Sequence, residues 1–211
     1  MRTGQRALAR VVLGAWSIAS LCAKLSKMRR VVITGPEATG KTTLARRLAE
    51  RFGTSWSPEY VRVFLEGRPA RDPPSLVLWE DVPLIARGQI DVEEAAEREA
   101  SRVLFCDTDL HSTKVYCEHY FGRCPEWIAH AARERRYDLH LLLAPDVPWR
   151  PDPLRDRPHL REELWEAFRR ELRLAGRRVV LIDGDWDARF ERAVRHVERL
   201  LEEPAPGVSP S

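Results

Sequence analysis

The stretch from Arg30 to Leu48, R-V-V-I-T-G-P-E-A-T-G-K-T-T-L-A-R-R-L, constrains this chain more than any other. Val31, Val32 and Ile33 form a β-branched run, the mark of a strand buried on both faces. Gly35, Gly40, Lys41 and Thr42 then satisfy the spacing G-x-x-x-x-G-K-[ST]. Behind them Leu44, Ala45, Leu48 and Ala49 recur at helical spacing. Strand, glycine loop and helix in that order predict a phosphate-binding loop. The glycines let the backbone curl so that successive N–H groups point inward at phosphate oxygens. The helix N-terminus adds partial positive charge. Pro36, Glu37, Ala38, Thr39 and Thr43 complete the predicted ATP cradle. Lys41 is expected to reach the β- and γ-phosphates, and the Thr42 hydroxyl to hold Mg²⁺.

The chain has 211 residues, which favours one domain. A chain of this size buries about 70% of its unfolded surface, so one core suffices without staples. Its formal net charge is +3, unevenly placed. Seven of the 35 basic residues lie in positions 1–30, which hold no acid; the rest has 28 basic against 32 acidic residues, a net of −4. The body therefore gives no compositional case for nucleic-acid binding. The four cysteines, Cys22, Cys106, Cys117 and Cys124, form no C-x-x-C pair and no zinc-spaced cluster. They read as reduced thiols, which suits a cytoplasmic protein.

Val11 to Ala23 is an uncharged, mostly apolar run behind Arg2, Arg6 and Arg10. It has the outline of a signal peptide but no clean A-x-A site, and it is too short to span a bilayer as a helix. Met28 stands where a domain opening on this strand would begin. Residues 1–27 are therefore expected to be an upstream leader outside the fold, with no membrane partner. The domain is expected over residues 28–202. The Pro- and Ser-rich tail at 203–211 is expected to stay unfolded.

Along the body, the first helix is expected to end near Gly53 and a short second strand to cover Thr54 to Ser57. Pro58-Glu59-Tyr60-Val61-Arg62 opens a helix, 67–74 reads as a loop, and Pro83 starts a helix running to about Ala100. Val103-Leu104-Phe105-Cys106-Asp107 is four apolar residues ending in an acid. That is the form of a strand whose terminal carboxylate meets Mg²⁺ or its water. A helix around Thr113 to Tyr120 follows, then a strand at Leu139 to Leu143. Residues 144–158, A-P-D-V-P-W-R-P-D-P-L-R-D-R-P, hold too many prolines for a regular helix. Arg150, Arg155 and Arg157 sit among them, as in a lid whose cations close over phosphates and exclude water. A helix at Leu160 to Leu174, a strand at Val179 to Ile182 and a helix at Arg189 to Leu201 complete the body. Strands alternate with helices. The expected fold is a three-layer α/β domain of the P-loop NTPase type, with a central parallel sheet and a small lid. Its site lies at the carboxyl ends of the strands.

Several chemistries use such a loop. The N-K-x-D signature of guanine-nucleotide switches is absent from the sequence. A small body with one lid favours a small-molecule kinase, in which a carboxylate receives the proton of the acceptor hydroxyl. Glu59, Asp107 and Asp109 are the candidates for that base, and the spacing does not choose among them.

Five segments together resemble the nicotinamide-riboside kinase domain at the C-terminus of the bifunctional regulators of NAD biosynthesis, and its stand-alone relatives. They are G-P-E-A-T-G-K-T-T-L (35–44), P-E-Y-V-R (58–62), I-A-R-G-Q (85–89), D-T-D-L-H-S-T-K-V-Y (107–116) and Y-D-L-H-L-L-L-A-P-D-V-P-W (137–149). The resemblance covers about residues 29 to 200. It implies ATP-dependent phosphorylation of the 5′-hydroxyl of nicotinamide riboside. It implies that Asp107 and Asp109 serve the metal and the acceptor ribose, that Arg155 and Arg157 serve the transferring phosphate, and that Arg150 lies on the nucleotide. Tyr60, Arg62, Trp79, Tyr116 and Trp149 become acceptor-side candidates, since an aromatic face suits the positive nicotinamide ring. The loop at Gly184 to Trp186 is expected to border adenine. The chain departs from the family at Ala38, often Ser, and at the lid, where Trp149 is followed by Arg150-Pro151-Asp152-Pro153 rather than W-x-x-D-G. Proline for glycine stiffens that loop. The adenylyltransferase motif H-x-G-H and a DNA-binding helix-turn-helix are not present. The competing readings are a kinase for another nucleoside, or a nucleotide-sensing module that binds ATP with little turnover.

Overall fold

The computed structural model describes residues 28–69, 71–74, 76–151 and 158–204. Expectations for the leader, the lid arginines Arg155 and Arg157, and the tail beyond Pro204 lie outside the described residues.

Five strands form one parallel sheet: β1 (Arg29–Thr34), β2 (Trp56–Ser57), β3 (Val103–Asp107), β4 (Leu139–Leu143) and β5 (Val179–Ile182), in the order β2-β3-β1-β4-β5. Among the described residues seven α-helices connect and cover them: α1 (Lys41–Phe52), α2 (Tyr60–Gly67), α3 (Val82–Glu99), α4 (Leu110–Phe121), α5 (Glu126–Glu134), α6 (Arg161–Leu174) and α7 (Trp186–Glu202). The predicted three-layer α/β architecture is what the chain adopts.

The side-chain period of two decides the layers. Val31 and Ile33 of β1 join Leu44, Leu48, Ala193, Val197 and Leu200 on the face covered by α1 and α7. Val32, between them, turns to the opposite face and meets Ala96, Ala100, Leu104 and Cys106. The central strands β1, β3 and β4 are buried on both faces, which is why they read as continuous apolar runs. Val82, Ala86, Leu110, Cys117, Ile128 and Ala132 pack α3, α4 and α5 into a satellite of the core.

Two boundaries and one helix differ from the reading of the sequence. The second strand shortens to Trp56–Ser57, because Thr54 and Ser55 spend their hydroxyls on the carbonyls of Val103 and Ala96, at 2.6 Å each. The last helix starts three residues early, at Trp186, because Asp185 caps it through Ala188 N (2.8 Å) and Asp187 N (3.1 Å). Helix α5 was not anticipated; it buries Ile128 and Ala132, one helical turn apart.

Candidate active site

The phosphate loop joins the buried end of β1 to α1 across residues 35–40. Gly35 sits at φ +134°, and a Cβ there would lie 2.8 Å from the carbonyl oxygen of Leu143, so only glycine lets the loop pass β4. Ala38 adopts φ 55°, a left-handed conformation that costs an alanine strain. Gly40 caps α1 without any side-chain hydrogen bond, and the first turn of the helix carries no acid. Its amide end is therefore open to an outside anion.

The predicted cradle residues are brought together. Pro36 O accepts from Thr39 Oγ1 at 2.8 Å and from Lys41 Nζ at 3.0 Å. Lys41 is buried, with its ammonium folded back over the loop. Thr42 Oγ1 donates to Asp107 Oδ2 at 2.5 Å. The register that sets Ile33 beside Asp107 places those two groups together at the carboxyl edge of the sheet. Thr43 is exposed in the first turn of α1.

Beside the loop lies a cavity of about 350 Å³. Lys41 and Glu37 reach it from the phosphate loop, Glu59 and Arg62 from the start of α2, and Thr108, Thr113 and Tyr116 from the turn after β3 and from α4. Gln89, from α3, holds the segment carrying Glu59. Its Oε1 accepts from Tyr60 N at 2.9 Å, and its Nε2 donates to Pro58 O at 3.4 Å. Gln89 is buried and also meets Glu93 Oε1 at 3.4 Å. Burial pushes the Glu93 carboxyl up to about 7, against the charge of Arg135 and the hydrogen bond from Tyr137 Oη (2.8 Å).

Several predicted site residues lie elsewhere. Asp109 is a correction. Its side chain is fully buried and points into the interior. Oδ1 caps α4 through Ser112 N (3.0 Å) and Ser112 Oγ (3.1 Å), and Oδ2 pairs with His140 Nε2 (3.0 Å). Burial alone would raise its pKa, but these hydrogen bonds and the neighbouring histidines hold it at about 2. His140 itself is pushed down by burial. A neutral imidazole lends little charge, so the hydrogen bonds from Ser112 and the ring N–H are what keep Asp109 ionised. Two residues from Asp107, this carboxylate does structural work, because α4 needs a cap there.

Of the predicted aromatics, Tyr116 lines the cavity, beside Tyr120 and Phe121. Tyr60 lays its ring against Gly88, where a Cβ would lie 2.0 Å away. Trp79 packs edge-on to Phe121 (5.5 Å) with the Arg123 guanidinium 4.2 Å over its ring. Trp149 packs under Arg161 at 5.9 Å and is not among the cavity's lining residues. Arg150 is exposed. Trp186 stands at the loop itself, since a Cβ on Gly40 would lie 2.3 Å from its indole. Gln89, Thr108 and Thr113 were not anticipated as site residues, though Gln89 closes the quoted segment I-A-R-G-Q.

Residues 30–189 match the AAA-domain family. The chain belongs to that family. It is 33% identical over 182 residues to the trifunctional NAD biosynthesis/regulator protein NadR of Escherichia coli (strain K12), a match covering 83% of this chain and 43% of NadR. NadR of Salmonella typhimurium is 32% identical over the same length. The chain thus spans less than half the length of the curated relatives it matches. Among solved structures, NadR in complex with NR superposes with a TM-score of 0.71 at 25% identity, over 87% of this chain and 54% of that one. NadR in complex with NAD and AMP-PNP superposes with a TM-score of 0.72 at 26% identity, over 88% and 51%. Thymidylate kinase from Ehrlichia chaffeensis shares the fold, with a TM-score of 0.56 at 15% identity. The resemblance read from the five segments is borne out, and the chain is a NadR-like P-loop kinase-type domain. No helix among the described residues is long and apolar enough to cross a membrane.

Proposed function

We propose that the chain transfers the γ-phosphoryl group of ATP to the 5′-hydroxyl of nicotinamide riboside, giving the mononucleotide. The observation that carries this reading is the junction at Lys41. One buried lysine belongs both to a phosphate loop and to the wall of a cavity of about 350 Å³, large enough for a nucleoside. The likeness to NadR, one of whose structures holds NR and another AMP-PNP, supports the choice of both substrates.

Thr42 and Asp107 offer hard oxygen donors side by side, which fits Mg²⁺. Among the described residues no group of three or more His, Cys, Asp or Glu could hold a metal, so the ion would arrive with the nucleotide and keep its waters. Bound there, Mg²⁺ would neutralise charge on the β- and γ-phosphates. The chain's own groups do the rest. Amides of the loop and of the α1 N-terminus bind phosphate oxygens. Lys41 swings from Pro36 O to the phosphates. Of the three candidate bases, Asp109 is engaged in the interior and Asp107 faces Thr42. Glu59 lines the cavity and is held there through Gln89. Glu59 is therefore assigned to receive the acceptor proton. Tyr116 offers a ring to the pyridinium.

The deciding experiment is ADP release by the full chain with Mg-ATP, with and without nicotinamide riboside, beside a panel of nucleosides. Selective stimulation by nicotinamide riboside is expected. Stimulation by another nucleoside would keep the mechanism and replace the acceptor. Binding of AMP-PNP with no stimulation by any acceptor would leave a nucleotide sensor.

A further inference from the structure

Arg189, closing the first turn of α7, is the largest fully buried side chain among the described residues. Burying a guanidinium costs several kcal/mol unless every donor finds an acceptor. Here each of the three nitrogens finds an acceptor, and the acceptors come from three separate segments. Nε donates to Gly184 O at 2.8 Å, in the loop between β5 and α7. Nη1 donates to Thr39 O at 2.9 Å, in the phosphate loop immediately before Gly40 and Lys41. Nη2 donates to Ala144 O at 2.9 Å, where the chain leaves β4, and also pairs with Asp146. Asp146 in turn accepts from Gly184 N through Oδ2 at 2.8 Å, so the carboxylate closes the knot. The Trp186 ring, which covers Gly40, lies 5.7 Å from the same guanidinium.

We propose that Arg189 is a positioning residue for the nucleotide. Its guanidinium fixes the phosphate loop relative to the β5–α7 loop and the exit of β4. The inference rests on the phosphotransfer reading above. A buried ion pair replaced as a whole by well-packed apolar side chains is often no less stable, so core packing alone does not call for a cation here. What apolar side chains would not do is tie three backbone carbonyls from separate segments together, as the rigid fork of an arginine does. The phosphate loop gains most from that restraint. Its amides bind an anion well only when they already point at it, and its conformation carries the strained Ala38. None of the residues that Arg189 bonds lines the acceptor cavity. The restraint therefore acts on one substrate and not on the other, and that asymmetry separates positioning from general structural support.

The test uses the full chain, with Mg-AMP-PNP binding by titration calorimetry and KM measured separately for ATP and for nicotinamide riboside. Arg189→Met keeps the length and removes every donor. It is expected to raise the AMP-PNP Kd and the KM for ATP about tenfold or more, the scale of misplacing a binding group, with the acceptor KM within about twofold. Arg189→Lys, which keeps the charge and some of the donors, is expected to recover part of that loss. Asp146→Asn alters a partner that is 41% exposed and leaves the buried arginine in place, so it keeps the test available if the methionine variant does not fold. It is expected to raise the AMP-PNP Kd about threefold. An unchanged Kd in Asp146→Asn and in whichever Arg189 variant folds would overturn the proposal. So would equal losses in both KM values. If the unmodified chain fails to bind AMP-PNP, the phosphotransfer reading itself falls. Failure of the positioning role alone shows instead as normal binding by parent and variants alike.

Discussion

The phosphate loop and the acceptor cavity meet at Lys41, yet they are made of different material. The loop is backbone. Gly35, Gly40 and the open end of α1 present amides, and only Lys41, Thr42 and Asp107 add side-chain chemistry. The cavity is side chain, gathered from the phosphate loop, α2, α3, the turn after β3, and α4. Backbone recognition needs particular residues at fixed local spacing, so a local pattern encodes it. Side-chain recognition needs only that distant segments converge, and no local pattern records that. A change on the loop side should therefore disable the reaction for every acceptor. A change on the cavity side should be graded and acceptor-dependent.

The largest effect is expected at the junction. Lys41→Ala removes the one cation shared by loop and cavity, and turnover should fall about 10³-fold, the scale of losing a preorganised donor to developing charge. The fold should persist, with circular dichroism and melting close to the parent. Near-parental ADP release would dissolve the assignment of the loop. Glu59→Gln follows. It keeps size and hydrogen bonding but cannot take a proton, and a fall in kcat of about 10²-fold is expected, with the KM for ATP unchanged. A rise in acceptor KM at constant kcat would make Glu59 a binding group and blur the distinction between its two neighbours, Gln89 and Arg62.

Behind the cavity, Glu93 sharpens the comparison through pH. Its folded-state pKa, about 7, stands above the ordinary 4.5 of a glutamate. The folded chain therefore holds that proton more tightly than the unfolded chain. Its contribution is fully present below about pH 4.5 and is lost as pH rises through about 7. Across that window the loss reaches about 3 kcal/mol at the limit. Urea unfolding from pH 4.5 to 8 should show the decline, and Glu93→Gln should flatten it. A Glu93→Gln curve that still falls like the parent's would place the titrating group elsewhere.

The same contrast explains what the sequence disclosed. The parallel sheet was legible because β1, β3 and β4 are buried on both faces and so read as apolar runs. The phosphate loop was legible because Gly35 and Gly40 answer to backbone geometry. Arg189 was not. Its sequence neighbourhood, D-A-R-F-E-R, looks like any charged helix, and its partners lie 5, 45 and 150 positions away. Helix α5 is hard to read from the sequence because it is only nine residues long and three of its five apolar residues are alanines. The aromatics misled for a related reason. Trp79 and Trp149 have the right chemistry for a pyridinium, but each ring packs under an arginine of its own.

The smallest effect is expected at Asp109, where sequence and structure part most sharply. Asp107-Thr108-Asp109 reads as a pair of acids at one site, but β3 ends at Asp107, Thr108 turns the chain through a left-handed φ of 71°, and α4 recruits Asp109 as its cap. Asp109→Asn preserves the cap, since asparagine serves that position as well as aspartate. The change is felt at His140. Opposite a carboxylate, His140 Nε2 carries the proton and donates. Opposite the amide nitrogen it must accept, and the proton moves to Nδ1, which is buried without a hydrogen-bond partner among the described residues. Leaving one buried donor unsatisfied costs about 1–3 kcal/mol, visible as a lower urea midpoint at pH 7. The acid limb changes too. With a folded-state pKa of about 2, below the ordinary 3.8, Asp109 stabilises the chain above about pH 4 and loses that contribution as pH falls through 2. The variant should lack this part of the slope. Turnover should stay within about threefold of the parent, because the carboxylate does not reach the cavity. A hundredfold loss of kcat at unchanged stability would instead return Asp109 to the chemistry, and would mean that the interior pairing with His140 opens when substrate binds.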